Sequence, residues 1–368
     1  METTPGTRRA GHIGRHALTA GVAGVLVVLS GCGGLTGAPA STDSASKSGN
    51  TPSPPAATVV SEEQAYERVI AQVLPSIVQI NTSGGLGSGV VYDTDGHIVT
   101  NAHVVGKYKN FEVILATGGK PRKAQLVASY PLGDLAVIRV SDKTGLAPAT
   151  FGDSTKLKVG QIVLAMGNPL GLSGSVTNGI VSALGRTVTE PQGEGSPGAT
   201  ITNAIQTSAS INPGNSGGAL TNLSGEVIGV PTLAAINPEL GGGAAPGIGF
   251  AIPSSTAKDV TEQIIRNGKV TNTRRAALGV RVNTVVGPDG QPVGVGVAQV
   301  DPGSGAARAG IKPGDIIISV NGKPTPTAAT LSEVLAGLKP GAQARVELLH
   351  PNGKTDTVTV ILGTLSGS

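Results

Sequence analysis

Short apolar runs, separated by glycine, asparagine, aspartate and proline, occupy the chain from Ile77 to about Ile252. Runs such as SIVQI, FEVILA, DLAVIRV and QIVLAMG have the length of strands, and the DTDG sequence at Asp93–Gly96 is typical of a hairpin turn. About a dozen such runs predict a mainly β domain, built as a barrel or as a pair of packed sheets.

Two segments on either side of these runs have helical spacing instead. The first, SEEQAYERVIAQV, starts at Ser61, a candidate N-cap that Gln64 completes as a capping box. The second starts at Pro253 and ends at Asn267–Gly268, a pair typical of a helix C-terminus. We expect these helices to bound a first domain over residues 61–270.

The remaining sequence predicts a second, smaller domain over residues 276–364. It contains the strand-like runs LGVRV, VGVAQV, ARVELL and TVTVIL, and a helix, TLSEVLAGL, capped by Thr330 with Glu333. No tandem repeat relates the two domains. The 368-residue chain therefore has at least two globular units after its N-terminal region.

The N-terminal region, residues 1–32, is predicted to be an export signal. Three arginines precede an uncharged, largely apolar run that ends in LSGC at Cys32. LSGC resembles the lipobox of bacterial lipoproteins, in which the cysteine is lipidated. The alternative is an uncleaved membrane anchor, because the run is nearly long enough to span a bilayer. Residues 33–60, rich in proline, serine, threonine and alanine, predict a flexible linker.

Composition excludes several other functions. A formal net charge of +4, with no basic stripe or aromatic platform, argues against nucleic-acid binding. A single cysteine rules out an intrachain disulfide. We expect no cofactor and no metal, because no cluster of histidine, cysteine or acidic residues and no phosphate-binding loop is evident.

The candidate nucleophile is Ser216, which lies in the sequence GNSGG. A serine hydroxyl needs a base, and the base needs an orienting group. Of the five histidines, two lie in the leader, one lies beside a turn of the second domain and one directly follows the hairpin glycine. Elimination leaves His103, whose neighbours in HIVTNAHVV predict a packed strand end, although a purely structural histidine is the ordinary alternative.

Asp134 is the candidate orienting carboxylate, because it directly precedes an unbroken apolar strand while most other acids fall in turns. A strand-initiating aspartate is the alternative. The glycines around Ser216 favour an oxyanion hole over a plain turn. We expect it to comprise Gly214, Asn215 and Ser216, with the N–H groups of Gly214 and Ser216 as the donors.

TNAHVV, GDLAVIRV and GNSGGAL, in that order, resemble the His, Asp and Ser motifs of trypsin-fold serine proteases, and more narrowly those of the HtrA (Deg) family. AMGNPLGLSGSVTNGIVSALGR and GIGFAIP are similar to that family too, and the second domain resembles its PDZ domain. The resemblance covers about residues 77–362. It implies a trypsin-like double β-barrel, with the active site between the barrels, followed by a PDZ domain, a β-sandwich or barrel with two helices. It also implies that His103 is the general base, Asp134 its orienter and Ser216 the nucleophile.

The same resemblance implies two binding regions. The residue six positions before the nucleophile, Ser210, would form the floor of the substrate pocket, with Ile211, Phe250, Ala251 and Ile252 nearby. This neutral pocket predicts cleavage after Val, Ala, Ile or Leu rather than after Lys or Arg. In the PDZ domain, the backbone N–H groups of the ALGVRV segment would hold a peptide C-terminus while the peptide adds as a strand. The three residues concerned are Leu278, Gly279 and Val280.

The sequence thus predicts an exported, membrane-tethered serine endopeptidase of the bacterial cell envelope. It would hydrolyse unfolded or envelope proteins and be regulated by peptides that bind its PDZ domain. The resemblance implies partners with exposed C-termini and a homotrimeric assembly. The alternatives are a peptide-binding chaperone and an envelope-stress sensor with low or gated proteolysis.

Overall fold

The computed structural model describes residues 56–168, 174–190, 198–212, 214–237 and 243–367. The predicted export signal, with Cys32, and nearly all of the predicted linker lie outside the described residues. Among the helices in these ranges, none combines the length and apolar character that a bilayer span requires.

The first described element is a helix, α1 (Ala56–Val73), which leads through a 3-10 turn (Leu74–Ser76) into a closed six-stranded barrel. The barrel order is β1-β2-β3-β6-β5-β4, and all of its strand pairs are antiparallel. A one-turn helix, α2 (Ala102–Val105), follows β3, and a 3-10 turn (Pro131–Gly133) precedes β6. The strands are β1 (Ile77–Thr82), β2 (Gly85–Val91), β3 (His97–Thr100), β4 (Asn110–Leu115), β5 (Arg122–Tyr130) and β6 (Leu135–Val140).

A second closed six-stranded barrel has the order β10-β11-β12-β9-β8-β7, which repeats the connectivity of the first. Both barrels confirm the predicted double-barrel architecture. The second barrel ends in helix α3 (Ser254–Asn267), which stops at Gly268 with a left-handed backbone, as the Asn-Gly pair predicts. The strands are β7 (Ile162–Gly167), β8 (Ser175–Glu190), β9 (Ala199–Thr207), β10 (Ala219–Thr221), β11 (Val227–Asn237) and β12 (Gly243–Pro253).

The cores follow from the alternation of side chains along these strands. One face of the strands fills each barrel, and some strands place residues of their other face in the space between the barrels. The interbarrel cluster joins residues of the first barrel to residues of the second and to α3, and each fully buried Leu or Ile contributes on the order of 1.5–3 kcal/mol of transfer free energy. It includes Val99, Leu135, Val137, Val230, Ile252 and Ile264.

The predicted PDZ domain, called the PDZ unit below, begins with β13 (Ala276–Ala277), which pairs with the last strand, β20 (Gly363–Thr364). Its main sheet has the order β14-β15-β16-β18-β19, so that β14 is an edge strand. The remaining elements are β14 (Val280–Val286), β15 (Pro292–Val300), α4 (Gly305–Arg308), β16 (Ile316–Val320), β17 (Lys323–Pro324), α5 (Ala328–Ala336), β18 (Gln343–Leu349) and β19 (Thr355–Ile361).

Two predicted helix starts are wrong. Helix α1 begins at Ala56, so Ser61 is an internal residue rather than the N-cap. Helix α5 is capped by Thr327, whose hydroxyl accepts from the N–H of Thr330 at 3.1 Å, so the cap lies one turn earlier than predicted. In both cases the helix begins a few residues before the predicted N-cap, and the local sequence alone does not determine the first residue of a helix.

Candidate active site

His103 lies in the one-turn helix α2, directly after β3. The predicted strand-end position is therefore wrong in detail, because β3 stops at Thr100 and the helix begins at Ala102. Ala102 and Val105 are buried, while the His103 side chain keeps 23% of its surface exposed. The imidazole is thus anchored by a packed helix yet remains accessible to a substrate.

The pairing of β3 with β6 brings Asp134 next to His103. Thr100, at the end of β3, pairs with Ala136 in β6, so the residues that flank these strand ends meet. Asp134 has a left-handed backbone, with φ of 50°, and the side-chain amide of Asn101 donates to its carbonyl oxygen at 2.9 Å. Its carboxylate is buried against the helix that carries the histidine.

The carboxylate of Asp134 holds the imidazole in one orientation. Nδ1 of His103 lies 3.0 Å from Oδ1 and 2.9 Å from Oδ2, and the backbone N–H of His103 donates to Oδ1 at 3.0 Å. A carboxylate accepts only, so it places the imidazole proton on Nδ1. Nε2 of the neutral ring is then an acceptor, as a general base requires.

Ser216 lies in a tight turn that precedes β10. Gly214 and Gly217 have φ angles of 116° and 81°, values that favour glycine. A Cβ atom on Gly217 would lie 2.3 Å from the carbonyl oxygen of Ser88 and 2.4 Å from Oγ1 of Thr100. The glycines around the serine therefore serve close packing against the first barrel as well as backbone conformation.

Thr232, in β11, contacts both Asp134 and Ser216, and sequence reasoning missed it. Its hydroxyl donates to Oδ2 of Asp134 at 2.5 Å, and its carbonyl oxygen accepts from the hydroxyl of Ser216 at 3.1 Å. The residue is 3% exposed. The one available signal was a threonine within the otherwise apolar run VIGVPTLAAI. Thr232 thus joins the nucleophile to the acid through a single residue.

The predicted oxyanion turn contains two free amide donors. Among the described residues, neither the N–H of Gly214 nor that of Ser216 donates a hydrogen bond. Asn215 differs, because its N–H donates to the carbonyl oxygen of Asn212 at 3.1 Å and its side-chain amide donates to Ser210. The N–H of Asn215 is therefore used within the turn and is not available to an oxyanion, which corrects its place in the predicted oxyanion hole.

The predicted pocket residues lie on two faces of the second barrel. Ile211 and Ala251 pack inside that barrel, whereas Phe250 and Ile252 join the interbarrel cluster. Adjacent residues of a strand point to opposite faces, so no single pocket takes side chains from all five predicted residues. Ser210 is exposed.

The predicted peptide-binding segment of the PDZ unit lies at the start of the edge strand β14. The carbonyl oxygens of Leu278 and Gly279 accept from Ala306 and Asp301, each at 2.9 Å. In a trans peptide, C=O and the following N–H point in opposite directions. The N–H groups of Gly279 and Val280 therefore point away from those partners.

No group of three or more His, Cys, Asp or Glu side chains that could hold a metal ion occurs within the described ranges. Cys32, the predicted lipidation site, lies outside them.

Two family models match this chain. A trypsin-like peptidase domain matches residues 87–230, and a PDZ domain matches residues 276–362. Together with the double barrel and the paired histidine and aspartate, these matches define a trypsin-like serine peptidase followed by a PDZ domain.

Comparison with similar proteins identifies the family within this class of serine peptidases. Serine protease PepD of Mycobacterium tuberculosis is 36% identical over 380 residues, which cover 96% of this chain and 78% of that protein. The periplasmic pH-dependent serine endoprotease DegQ of Escherichia coli is 40% identical over 77% of this chain, which spans 60% of the length of DegQ. The solved HtrA-type protease AlgW with decapeptide has a TM-score of 0.55 and 31% identity, over 82% of this chain and 99% of AlgW. The chain belongs to the HtrA family of serine endopeptidases.

Proposed function

We propose that the protein hydrolyses peptide bonds with Ser216 as the nucleophile, His103 as the general base and Asp134 as the group that orients the imidazole. One observation carries this proposal: an unbroken series of contacts runs from His103 through Asp134 and Thr232 to Ser216. The contact between Asp134 and Thr232 joins residues 98 positions apart, one from each barrel.

The first step is a rotation of the Ser216 hydroxyl. In this structure the hydroxyl donates to the Thr232 carbonyl, so its proton must turn away from that acceptor before Nε2 of His103 can accept it. Oγ then attacks the substrate carbonyl carbon as Nε2 accepts the proton, and Asp134 stabilises the imidazolium that forms. The imidazolium protonates the leaving amine, and a water molecule attacks the acyl-enzyme by the same route.

The negative charge of the tetrahedral intermediate requires donors that are already in place. The N–H groups of Gly214 and Ser216 fit this role, since neither donates elsewhere among the described residues. Losing one such donor typically lowers kcat by about 10²–10³-fold.

The substrate pocket is proposed to be neutral. Exposed Ser210 stands where a charged floor residue would select Lys or Arg, and Ile211 next to it is apolar. Cleavage is therefore expected after Val, Ala, Ile or Leu. Mass spectrometry of a digested peptide library measures this preference, and cuts mainly after Lys or Arg would contradict the pocket.

The PDZ unit is proposed to bind polypeptide C-termini. Its edge strand β14 offers an unpaired side, and the N–H groups of Gly279 and Val280 point away from Asp301 and Ala306 at the start of that strand. An incoming peptide would extend the sheet while those donors bind its terminal carboxylate. Helix α5 is tied to the same strand, because the hydroxyl of Thr284 accepts from the N–H of Ala328 at 3.1 Å.

Two hydrogen bonds support the proposal that peptide binding regulates proteolysis. Arg275, directly before β13, donates through Nη1 to the carbonyl oxygen of Leu132 at 3.0 Å, and Leu132 is two residues before Asp134. Thr189 of β8 donates to Glu333 of α5 at 2.9 Å. Ligand-induced movement of the PDZ unit would therefore act on the turn that carries the catalytic acid.

Arg275→Met tests this coupling, because it keeps the length of the side chain and removes the donor. We expect an added C-terminal peptide to change kcat in the wild type and to have little effect in the variant, at equal peptide affinity. The matched control is Arg274→Met, whose guanidinium contacts Asp259 on the protease surface instead. An unchanged peptide response in Arg275→Met would contradict the coupling.

The protein is proposed to act outside the cytoplasm, tethered to the cell membrane, as a homotrimer. The arginines and apolar run before Cys32 support export, and relatives such as DegQ are named periplasmic. Labelling cells with a fatty-acid analogue, and comparing wild type with Cys32→Ala, distinguishes a lipoprotein from an uncleaved anchor. Light scattering on the purified protein measures the assembly.

A protease whose Ser216 reacts only when a ligand binds the PDZ unit is the proposed alternative to a constantly active enzyme. Unfolded polypeptides and proteins with exposed C-termini are the proposed substrates. Digestion of β-casein by wild type but not by Ser216→Ala tests the enzyme, and a fluorophosphonate probe tests whether the serine reacts without a ligand. Binding of β-casein without cleavage under all conditions would favour the chaperone alternative.

A further inference from the structure

Ser88, in β2 of the first barrel, makes four hydrogen bonds, two of them to the proposed oxyanion turn of the second barrel. Its N–H donates to the carbonyl oxygen of Ser216 at 3.0 Å, and its hydroxyl donates to the carbonyl oxygen of Gly214 at 2.5 Å. The same hydroxyl accepts from the N–H of Asn168 at 2.8 Å, and its carbonyl oxygen accepts from the hydroxyl of Thr100 at 2.6 Å. Ser88 has no exposed surface, so water does not compete for these bonds.

The strand pairing explains why the backbone of Ser88 is available to the turn. β3 pairs with β2 only at Val90 and Val91, so beside Ser88 the ladder has already ended. The N–H and C=O groups on that side are satisfied instead by Ser216 and by the Thr100 side chain. At this point, where the pairing of β2 with β3 has ended, the turn around Ser216 packs against β2.

The bonds from Ser88 flank the peptide unit that carries the Ser216 N–H. On one side, the peptide unit between Gly214 and Asn215 is held by the Ser88 hydroxyl and by Asn212. On the other side, the unit after Ser216 is held by the Ser88 N–H and, through Gly217, by Pro231. Each neighbouring peptide plane is thereby fixed at both its C=O and its N–H.

We propose that Ser88 is a positioning residue that aims the Ser216 N–H of the oxyanion hole, by fixing the carbonyl groups of the peptide units on both sides of it. The inference rests on the proposed function, since it concerns the transition state of that hydrolysis. The side chain does not touch the substrate. It acts through the turn, and it makes the geometry of an element in the second barrel depend on a strand in the first.

Ser88→Ala removes the hydroxyl and leaves the backbone N–H bond to Ser216. A catalytic group displaced by about 1 Å costs on the order of 10²-fold, so we expect kcat to fall by about ten- to a hundredfold. KM should change by no more than about twofold, because ground-state binding does not use the oxyanion donors. The affinity for a peptide aldehyde, whose hemiacetal oxygen takes the oxyanion position, should fall in parallel with kcat.

Ser254→Ala is the matched control, because Ser254 is also fully buried and its hydroxyl donates to the carbonyl oxygen of Gly152 at 2.8 Å, away from the turn. Both variants should lower the melting temperature by similar amounts, and only Ser88→Ala should lower kcat and aldehyde affinity. If Ser88→Ala does not fold, Thr100→Val replaces it, because it removes the hydroxyl that donates to the Ser88 carbonyl oxygen. We expect smaller decreases in kcat and aldehyde affinity, again with little change in KM.

The outcomes separate this inference from the function on which it rests. A wild type that cleaves no peptide contradicts both. Two results with an active wild type overturn the positioning role alone. In the first, Ser88→Ala is as active as the wild type. In the second, Ser88→Ala changes KM and the melting temperature but keeps the wild-type affinity for the aldehyde. Loss of kcat in Ser254→Ala to the same extent would also overturn it, because the effect would then come from general destabilisation.

Discussion

Replacing Asp134 with asparagine should disable the imidazole while leaving the fold intact. In the wild type, Oδ1 accepts from the backbone N–H of His103, Oδ2 accepts from the hydroxyl of Thr232, and both oxygens lie within 3.0 Å of Nδ1. Asparagine has the same shape but only one acceptor, its side-chain oxygen, and its NH₂ group donates.

The surroundings decide which way the new amide points. The backbone N–H of His103 can only donate, so it requires the oxygen at the Oδ1 position, 3.0 Å away. The hydroxyl of Thr232 can accept as well as donate, so it tolerates the NH₂ group at the Oδ2 position. That NH₂ group then also faces Nδ1 at about 2.9 Å. The imidazole must carry its proton on Nε2, where it can no longer accept the proton of Ser216.

The expected loss is about 10⁴-fold in kcat, the size of such a tautomer error in a serine triad. It corresponds to roughly 5 kcal/mol of transition-state stabilisation, at about 1.4 kcal/mol for each factor of ten. A fluorogenic peptide with valine before the scissile bond provides kcat and KM, and we expect KM to change little. The rate of fluorophosphonate labelling should fall with kcat.

The control for Asp134→Asn is Asp153→Asn, at a carboxylate whose side chain is 46% exposed and which accepts from the N–H of Thr155. It should keep wild-type kcat. The melting temperature of Asp134→Asn should stay close to that of the wild type, because the substitution preserves volume. A kcat within tenfold of the wild type would refute the assignment of Asp134 as the orienting group.

Three further variants test other parts of the molecule. Gly279→Ala should abolish peptide binding in calorimetry without changing active-site labelling, because φ is 78° there and a Cβ atom would lie 2.3 Å from Cβ of Ser304. Ile138→Ala, in the fully buried core of the first barrel, should lower the free energy of unfolding in urea by about 2–5 kcal/mol. Arg274→Ala removes an ion pair with Asp259 from a side chain that is 69% exposed, and should change that free energy by less than about 1 kcal/mol.

The proposed catalytic residues stand out in the sequence because each has a local signature. Glycines surround Ser216, an apolar strand follows Asp134, and the few histidines leave His103 by elimination. The strand lengths and turn residues likewise predict two β-rich units. These patterns do not show where a strand ends and a helical turn begins. The sequence therefore could not place His103 in a helical turn rather than in a strand.

Thr232 and Ser88 escaped prediction for a different physical reason. Thr232 gives only a weak signal, as a threonine in an apolar run, and Ser88 gives none, since a serine within a β-strand is ordinary. Their roles arise only from partners that are far along the chain, 98 residues from Thr232 to Asp134 and 126 from Ser88 to Gly214. Such contacts exist only once both barrels have closed and docked.

Because these contacts join residues of different barrels, the proposed active site forms only at the interface between the barrels. The first barrel supplies the proposed base and its carboxylate, and the second supplies the proposed nucleophile. Two buried hydroxyls cross from one barrel to the other in opposite directions. Thr232 reaches from the second barrel to Asp134, and Ser88 reaches from the first barrel to Gly214. Hydrogen bonds are short-ranged and directional, so both can be satisfied only at one relative placement of the barrels. Because the apolar interbarrel cluster is not directional, it brings the barrels together, and the two polar contacts select the placement at which the triad meets.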